Sequence, residues 1–68
     1  MWSPQCLTLP ERVDEMLRAD LERELAVIDQ YSMHIRMIKD DYVNDVLKRI
    51  VQDEQYHVML LRSMMDTM

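Results

Sequence analysis

Apolar residues recur along the chain at alternating steps of four and three. The positions Leu17, Leu21, Glu24, Ile28, Tyr31, Ile35 and Ile38 are separated by 4, 3, 4, 3, 4 and 3 residues. That spacing keeps them all on one face of an α-helix, as in a heptad seam. A second stripe, Val43, Leu47, Ile50, Glu54, His57, Leu61, Met64 and Met68, steps by 4, 3, 4, 3, 4, 3 and 4. Between the stripes lies Lys39-Asp40-Asp41, with a lysine suited to the last turn of one helix and an aspartate suited to the cap of the next. The pattern predicts an all-α fold: a helix over about 9–39, a turn at about 40–41 and a second helix over about 42–66, folded into an antiparallel hairpin. One unbroken helix is the alternative, but it would be unusually long for so short a chain.

Thr8-Leu9-Pro10-Glu11 reads as the start of the first helix. Thr8 can cap, Pro10 needs no amide partner in the first turn, and Glu11 stands where a capping box places an acid. Residues 1–8 are then an N-terminal segment with little order of its own. Leu25 and Val27 flank the first stripe, and Val51, Val58 and Met65 flank the second. A face that wide exceeds the seam of two helices and suits the core of four. Two hairpins are therefore expected to pair into a four-helix bundle.

Composition narrows the reading. A chain of 68 residues buries too little apolar surface to be comfortable alone, so a metal, oligomerisation or both are expected to support it. Cys6 is the single cysteine, which rules out an internal disulfide. There is no glycine, and the two prolines are Pro4 and Pro10, so nothing after Glu11 breaks a helix strongly. The formal net charge of −5 disfavours nucleic acid and suits cations. No apolar run approaches the ~20 residues that span a bilayer, and the first residues lack the pattern of a signal peptide. A cytoplasmic or enclosed reducing location follows as the expectation.

Three residues disturb the stripes in a way that suggests chemistry. Glu24, Glu54 and His57 stand where leucine or isoleucine belongs, and a buried carboxylate must be paired, protonated or bound to a metal. In a hairpin turning near residue 40, residues at one level have numbers totalling about 80; Glu24 with Glu54 totals 78 and Glu24 with His57 totals 81. The three residues share a height to within about one residue rise. Glu54-Gln55-Tyr56-His57 is an E-x-x-H, which places a carboxylate and an imidazole one turn apart on one face. With a glutamate opposite, the set suits Fe(II), Mn(II) or Zn(II). One chain offers too few ligands to close two metal centres; a two-fold partner doubles them to four glutamates and two histidines, the set of carboxylate-bridged di-metal bundles. The expected site is thus shared by a homodimer.

Plainer readings stand beside these. The three polar residues could form a network that fixes the register of a structural bundle. Tyr31 could simply pack in the core. His34 lies ~16 Å from the level of His57 and is not expected to be a ligand. The eight methionines read as packing or adaptable interface rather than soft-metal ligands. Asp20, Glu22, Asp29, Asp45 and Asp53 read as a solvated acidic surface, with attraction of Fe(II) as the alternative.

The segment Leu21-Glu22-Arg23-Glu24-Leu25-Ala26-Val27-Ile28-Asp29-Gln30-Tyr31 resembles the first metal-binding helix of bacterioferritins and rubrerythrins, in which a ligand glutamate precedes a tyrosine by seven residues. Asp53-Glu54-Gln55-Tyr56-His57 resembles their second. A single copy of the helix pair resembles the encapsulated ferritins, two-helix members of the ferritin-like di-iron superfamily that build the site between subunits. The resemblance implies Glu24, Glu54 and His57 as iron ligands, Glu54 as the bridging carboxylate and Tyr31 as a hydrogen-bond donor at the catalytic centre. It also implies ferroxidase activity for iron storage or detoxification, ring-like oligomers and residence inside an encapsulin shell. Two rivals remain: a rubrerythrin-like peroxide-scavenging centre, for which one cysteine cannot supply the usual electron-donating iron site, and a non-enzymatic homo-oligomeric helical adaptor.

Overall fold

A computed structural model of the chain describes residues 10–67, with the side chains of residues 10 and 11 outside the description. The proposed N-terminal segment 1–8, the Thr8 cap and Met68 lie outside the described residues. Two helices make up the fold: α1, Pro10–Met37, and α2, Asp41–Asp66. They pack side by side as a hairpin, so the single unbroken helix is set aside. No helix among the described residues is long and apolar enough to cross a membrane.

The turn falls at Ile38-Lys39-Asp40, about two residues before the position that the stripes predict. Two side chains account for the difference. Asp40 has extended backbone angles, φ −146° and ψ 114°, and its carboxylate accepts from the amide of Val43 at 3.0 Å. Its carbonyl also accepts the first helical bond of α2, from the amide of Asn44 at 3.0 Å. Asp40 is therefore the N-cap, satisfying one of the free amides that every helix start leaves. Asn44 does the corresponding work for α1: its Nδ2 donates to the carbonyl of Ile38 at 2.9 Å. A carbonyl at a helix end usually finds such a partner through a left-handed glycine, and no residue here has a positive φ. The side chain from the next helix replaces that device, which is how a chain without glycine makes a three-residue turn.

The remaining charge and capping are ordinary. Arg36 lies in the last turn of α1 and Asp41 in the first turn of α2, each favourable to the helix dipole. Thr67 closes α2 by donating from its hydroxyl to the carbonyl of Met64 at 2.8 Å. Arg18 pairs with Asp14 at 2.8 Å, one turn apart and well exposed, which contributes little to stability.

The seam between the helices corrects the second stripe. Every member of the first stripe, Leu17 to Ile38, is partly covered. On α2 the covered positions are Asn44, Leu47, Ile50, Val51, Glu54, Val58, Leu61 and Met65, and among the described residues Val58 alone is buried, at 7% exposure. Within that set, 44, 47, 51, 54, 58, 61 and 65 form their own alternation of three and four. The seam thus shares Leu47, Glu54 and Leu61 with the predicted stripe but runs one residue later at each step between. Asn44, a polar residue, opens this seam, and the hydrophobic pattern therefore passes over it. Val43, His57 and Met64, which the stripe places inward, are exposed along the edge of α2.

That edge is itself apolar. Val43, Val46, Leu60 and Met64 are between 36% and 47% exposed, with Ile50 partly covered and His57 in the middle of the row. At ~25 cal/mol per Å² of apolar area, leaving these side chains in water forgoes several kcal/mol that a cover would recover.

If Asn44 and Asp40 hold the turn, replacing each by alanine costs about 1 kcal/mol of unfolding free energy. Chemical denaturation at one fixed protein concentration measures this, and the two losses should be less than additive, because both side chains brace the same turn.

Candidate metal centre

Glu24 comes from the middle of α1, and Glu54 and His57 from the middle of α2. The E-x-x-H spacing puts Glu54 and His57 one turn apart on α2. The short turn brings Glu24 to their level, and one carboxylate oxygen from each glutamate and one nitrogen of His57 lie within 4.8 Å of one another. The group is half open: the side chains of Glu24 and Glu54 are 26% and 20% exposed, and His57 is 50% exposed. Its buried side is the hairpin seam and its open side is the apolar edge of α2.

The distances within the group show that it could hold a metal ion. His57 Nδ1 lies 4.0 Å from Glu24 Oε1 and 3.8 Å from Glu54 Oε2, both beyond hydrogen-bonding range. Glu24 Oε2 is buried with no hydrogen-bond partner. A polar network that fixed register would be bonded internally, because each unpaired buried polar atom costs ~1–3 kcal/mol. Here the ligand atoms converge on a common point without touching each other. A first-row cation with bonds of ~2.0–2.2 Å holds its ligands roughly 3–3.5 Å apart. The observed group is wider by about 1 Å, within reach of small side-chain rotations. Two carboxylates and one imidazole also form a donor set that such cations accept. The residues present fit a metal.

An open groove of about 300 Å³ begins at this group and runs along the molecule, lined by Asp20, Arg23, Glu24, His57, Leu60, Leu61 and Met64. Its walls are charged on the α1 side and apolar on the α2 side. Asp20 and Arg23 were not singled out for this position by sequence reasoning; they lie four residues and one residue before Glu24, and only the rotation of α1 in the hairpin brings both to the groove.

Tyr31 is not part of the group. It lies two turns beyond Glu24 on α1, partly covered, with its ring edge-on to His34 at a centroid distance of 6.5 Å. His34 is likewise outside the group. Within one chain, then, Glu24, Glu54 and His57 are brought together, and Tyr31 makes no side-chain hydrogen bond to them among the described residues. No protein-family model, curated protein or solved structure matches the chain.

The orphaned oxygen yields a stability test. Replacing Glu24 by leucine removes a buried unsatisfied carboxylate, so the metal-free protein should be unchanged or more stable by up to about 1 kcal/mol. Thermal unfolding in the presence of a chelator measures it. Destabilisation by more than about 1 kcal/mol would instead mean that Glu24 is paired structurally.

Proposed function

We propose that the chain is half of a ferritin-like di-iron protein, a ferroxidase that oxidises Fe(II) to Fe(III) at a site shared by two subunits. The observation that carries this reading is the convergence of Glu24, Glu54 and His57 to within 4.8 Å of one another, with Glu24 Oε2 without a hydrogen-bond partner. The exposed apolar row around His57 supports a second copy of the chain as the cover: it flanks the group on its open side. Two half-sites facing each other assemble four carboxylates and two imidazoles, enough to hold a pair of irons with glutamates bridging them.

Iron is substrate in this scheme. The two glutamates neutralise the charge of each incoming Fe(II), and His57 contributes a neutral donor. Fixing two irons side by side lets O₂ take one electron from each; with two protons it leaves as hydrogen peroxide, and both irons become Fe(III). Glu54, reached from the seam, is suited to bridging, and Glu24, with one free buried oxygen, to closing on the metal. Tyr31 serves as a hydrogen-bond donor to this centre only from the partner chain or after rotation. An open hairpin pair has no interior cavity, so storage of the product requires a separate container, such as an encapsulin shell.

Anaerobic titration of the metal-free protein with Fe(II), followed by O₂, tests the proposal. It should bind about two irons per dimer, oxidise them rapidly as followed by absorbance, and show dimer mass or greater by light scattering. Glu54→Ala and His57→Ala should each weaken iron binding by at least about tenfold while the helix content stays. An intact dimer that takes up no iron at low-micromolar concentrations would sink the ferroxidase reading in favour of a structural adaptor.

A further inference from the structure

Arg23 is a cation placed beside a site for cations, and its position calls for a physical account. It lines the same groove as Glu24 and His57, it is exposed, and it is the residue immediately before the ligand Glu24. Its guanidinium makes no ion pair within 4.0 Å among the described residues, whereas Arg18, five residues earlier, is held by Asp14 at 2.8 Å. Nor does it satisfy the buried Glu24 Oε2, which has no donor. Asp20 shares the groove without pairing with it. The guanidinium is therefore free to meet something that enters the groove.

Charge and ligand counting indicate what that is. Two facing half-sites hold four carboxylates and two neutral imidazoles, which balance two divalent cations. Two Arg23 side chains add two positive charges and the two Asp20 side chains of the same groove cancel them, so the filled centre becomes positively charged when the irons are oxidised. Six protein side chains also leave coordination positions open on two metals that take up to six ligands each. An anion with several oxygens answers both deficits, since it binds an open metal position with one oxygen and accepts paired hydrogen bonds from a guanidinium with two others.

We propose that Arg23 is an anion-binding residue, and that the metal-filled groove takes a phosphate-class oxyanion between the Arg23 guanidinium and the open metal positions. This inference rests on the metal centre proposed above. The groove with metal bound is the phosphate site; Arg23 alone is not.

Isothermal titration of inorganic phosphate into the protein loaded with Zn(II), a redox-inert stand-in, reads the site without turnover. The wild-type protein should bind about one phosphate per centre. Arg23→Ala should weaken that binding by at least about tenfold, the effect of losing charge-assisted hydrogen bonds. Arg23→Lys should recover part of the loss, because it restores charge without the two-pronged geometry. On the same samples, Arg23→Ala should leave helix content unchanged and should not weaken Zn(II) binding, since it removes a like charge from the groove. Phosphate binding that is absent, or equal in wild type and Arg23→Ala, with Zn(II) bound in both, overturns the proposal and leaves the metal centre standing. Failure of Zn(II) and Fe(II) to bind at all overturns the metal centre and this inference together.

Discussion

The placement of every chemically interesting side chain depends on the turn at Ile38-Lys39-Asp40. Helices of this length slide past one another easily when their seams are simple alternations of aliphatic residues, because a shift by one heptad preserves most of the packing. The turn removes that freedom. Asp40 caps α2 and Asn44 reaches back to the last carbonyl of α1, so the hairpin closes within three residues and its levels are set. Glu24 then faces Glu54 and His57 and no other pair. A longer or looser turn would leave each glutamate opposite a leucine, where it would only destabilise the fold.

The same closure leaves the molecule incomplete. Two helices can cover one seam, and among the described residues they bury Val58 alone. α2 carries apolar residues on two adjacent rows: one packs on α1, and the other, with His57 at its centre, faces outward. The inward row contributes Glu54 to the candidate centre and the outward row contributes His57. The centre is thus built at the line where the covered and uncovered faces meet, which is why it is half open and why a second chain would both bury the apolar row and close the ligand set.

Within the hairpin, Glu24 is the least satisfied member of the group. Its buried oxygen has no donor and its other oxygen stands off from His57. Such an arrangement makes sense where a cation supplies the interaction that the protein withholds. Arg23 adds a second unsettled charge in the same groove, and with it a preference for anionic oxygen once the cation is present.

The stripes in the sequence were sufficient for two helices, an antiparallel hairpin and the meeting of Glu24 with Glu54 and His57, because helical periodicity and a short connection together leave few other arrangements. The gap of thirty residues between the two glutamates and the E-x-x-H spacing are local facts that survive any small error in the turn. What the pattern could not supply was the rotation of α2. An apolar residue scores the same on either of two adjacent rows, and the polar Asn44, which opens the true seam, is invisible to a hydrophobic count. Only the packing of α2 on α1 decided that Val58 rather than His57 is buried, that Tyr31 stays out of the group within one chain, and that Arg23 shares the groove of the candidate metal centre. Periodicity determines which face of a helix is apolar to within about one residue's rotation, ~100°; side-chain volumes meeting across the seam decide the rest.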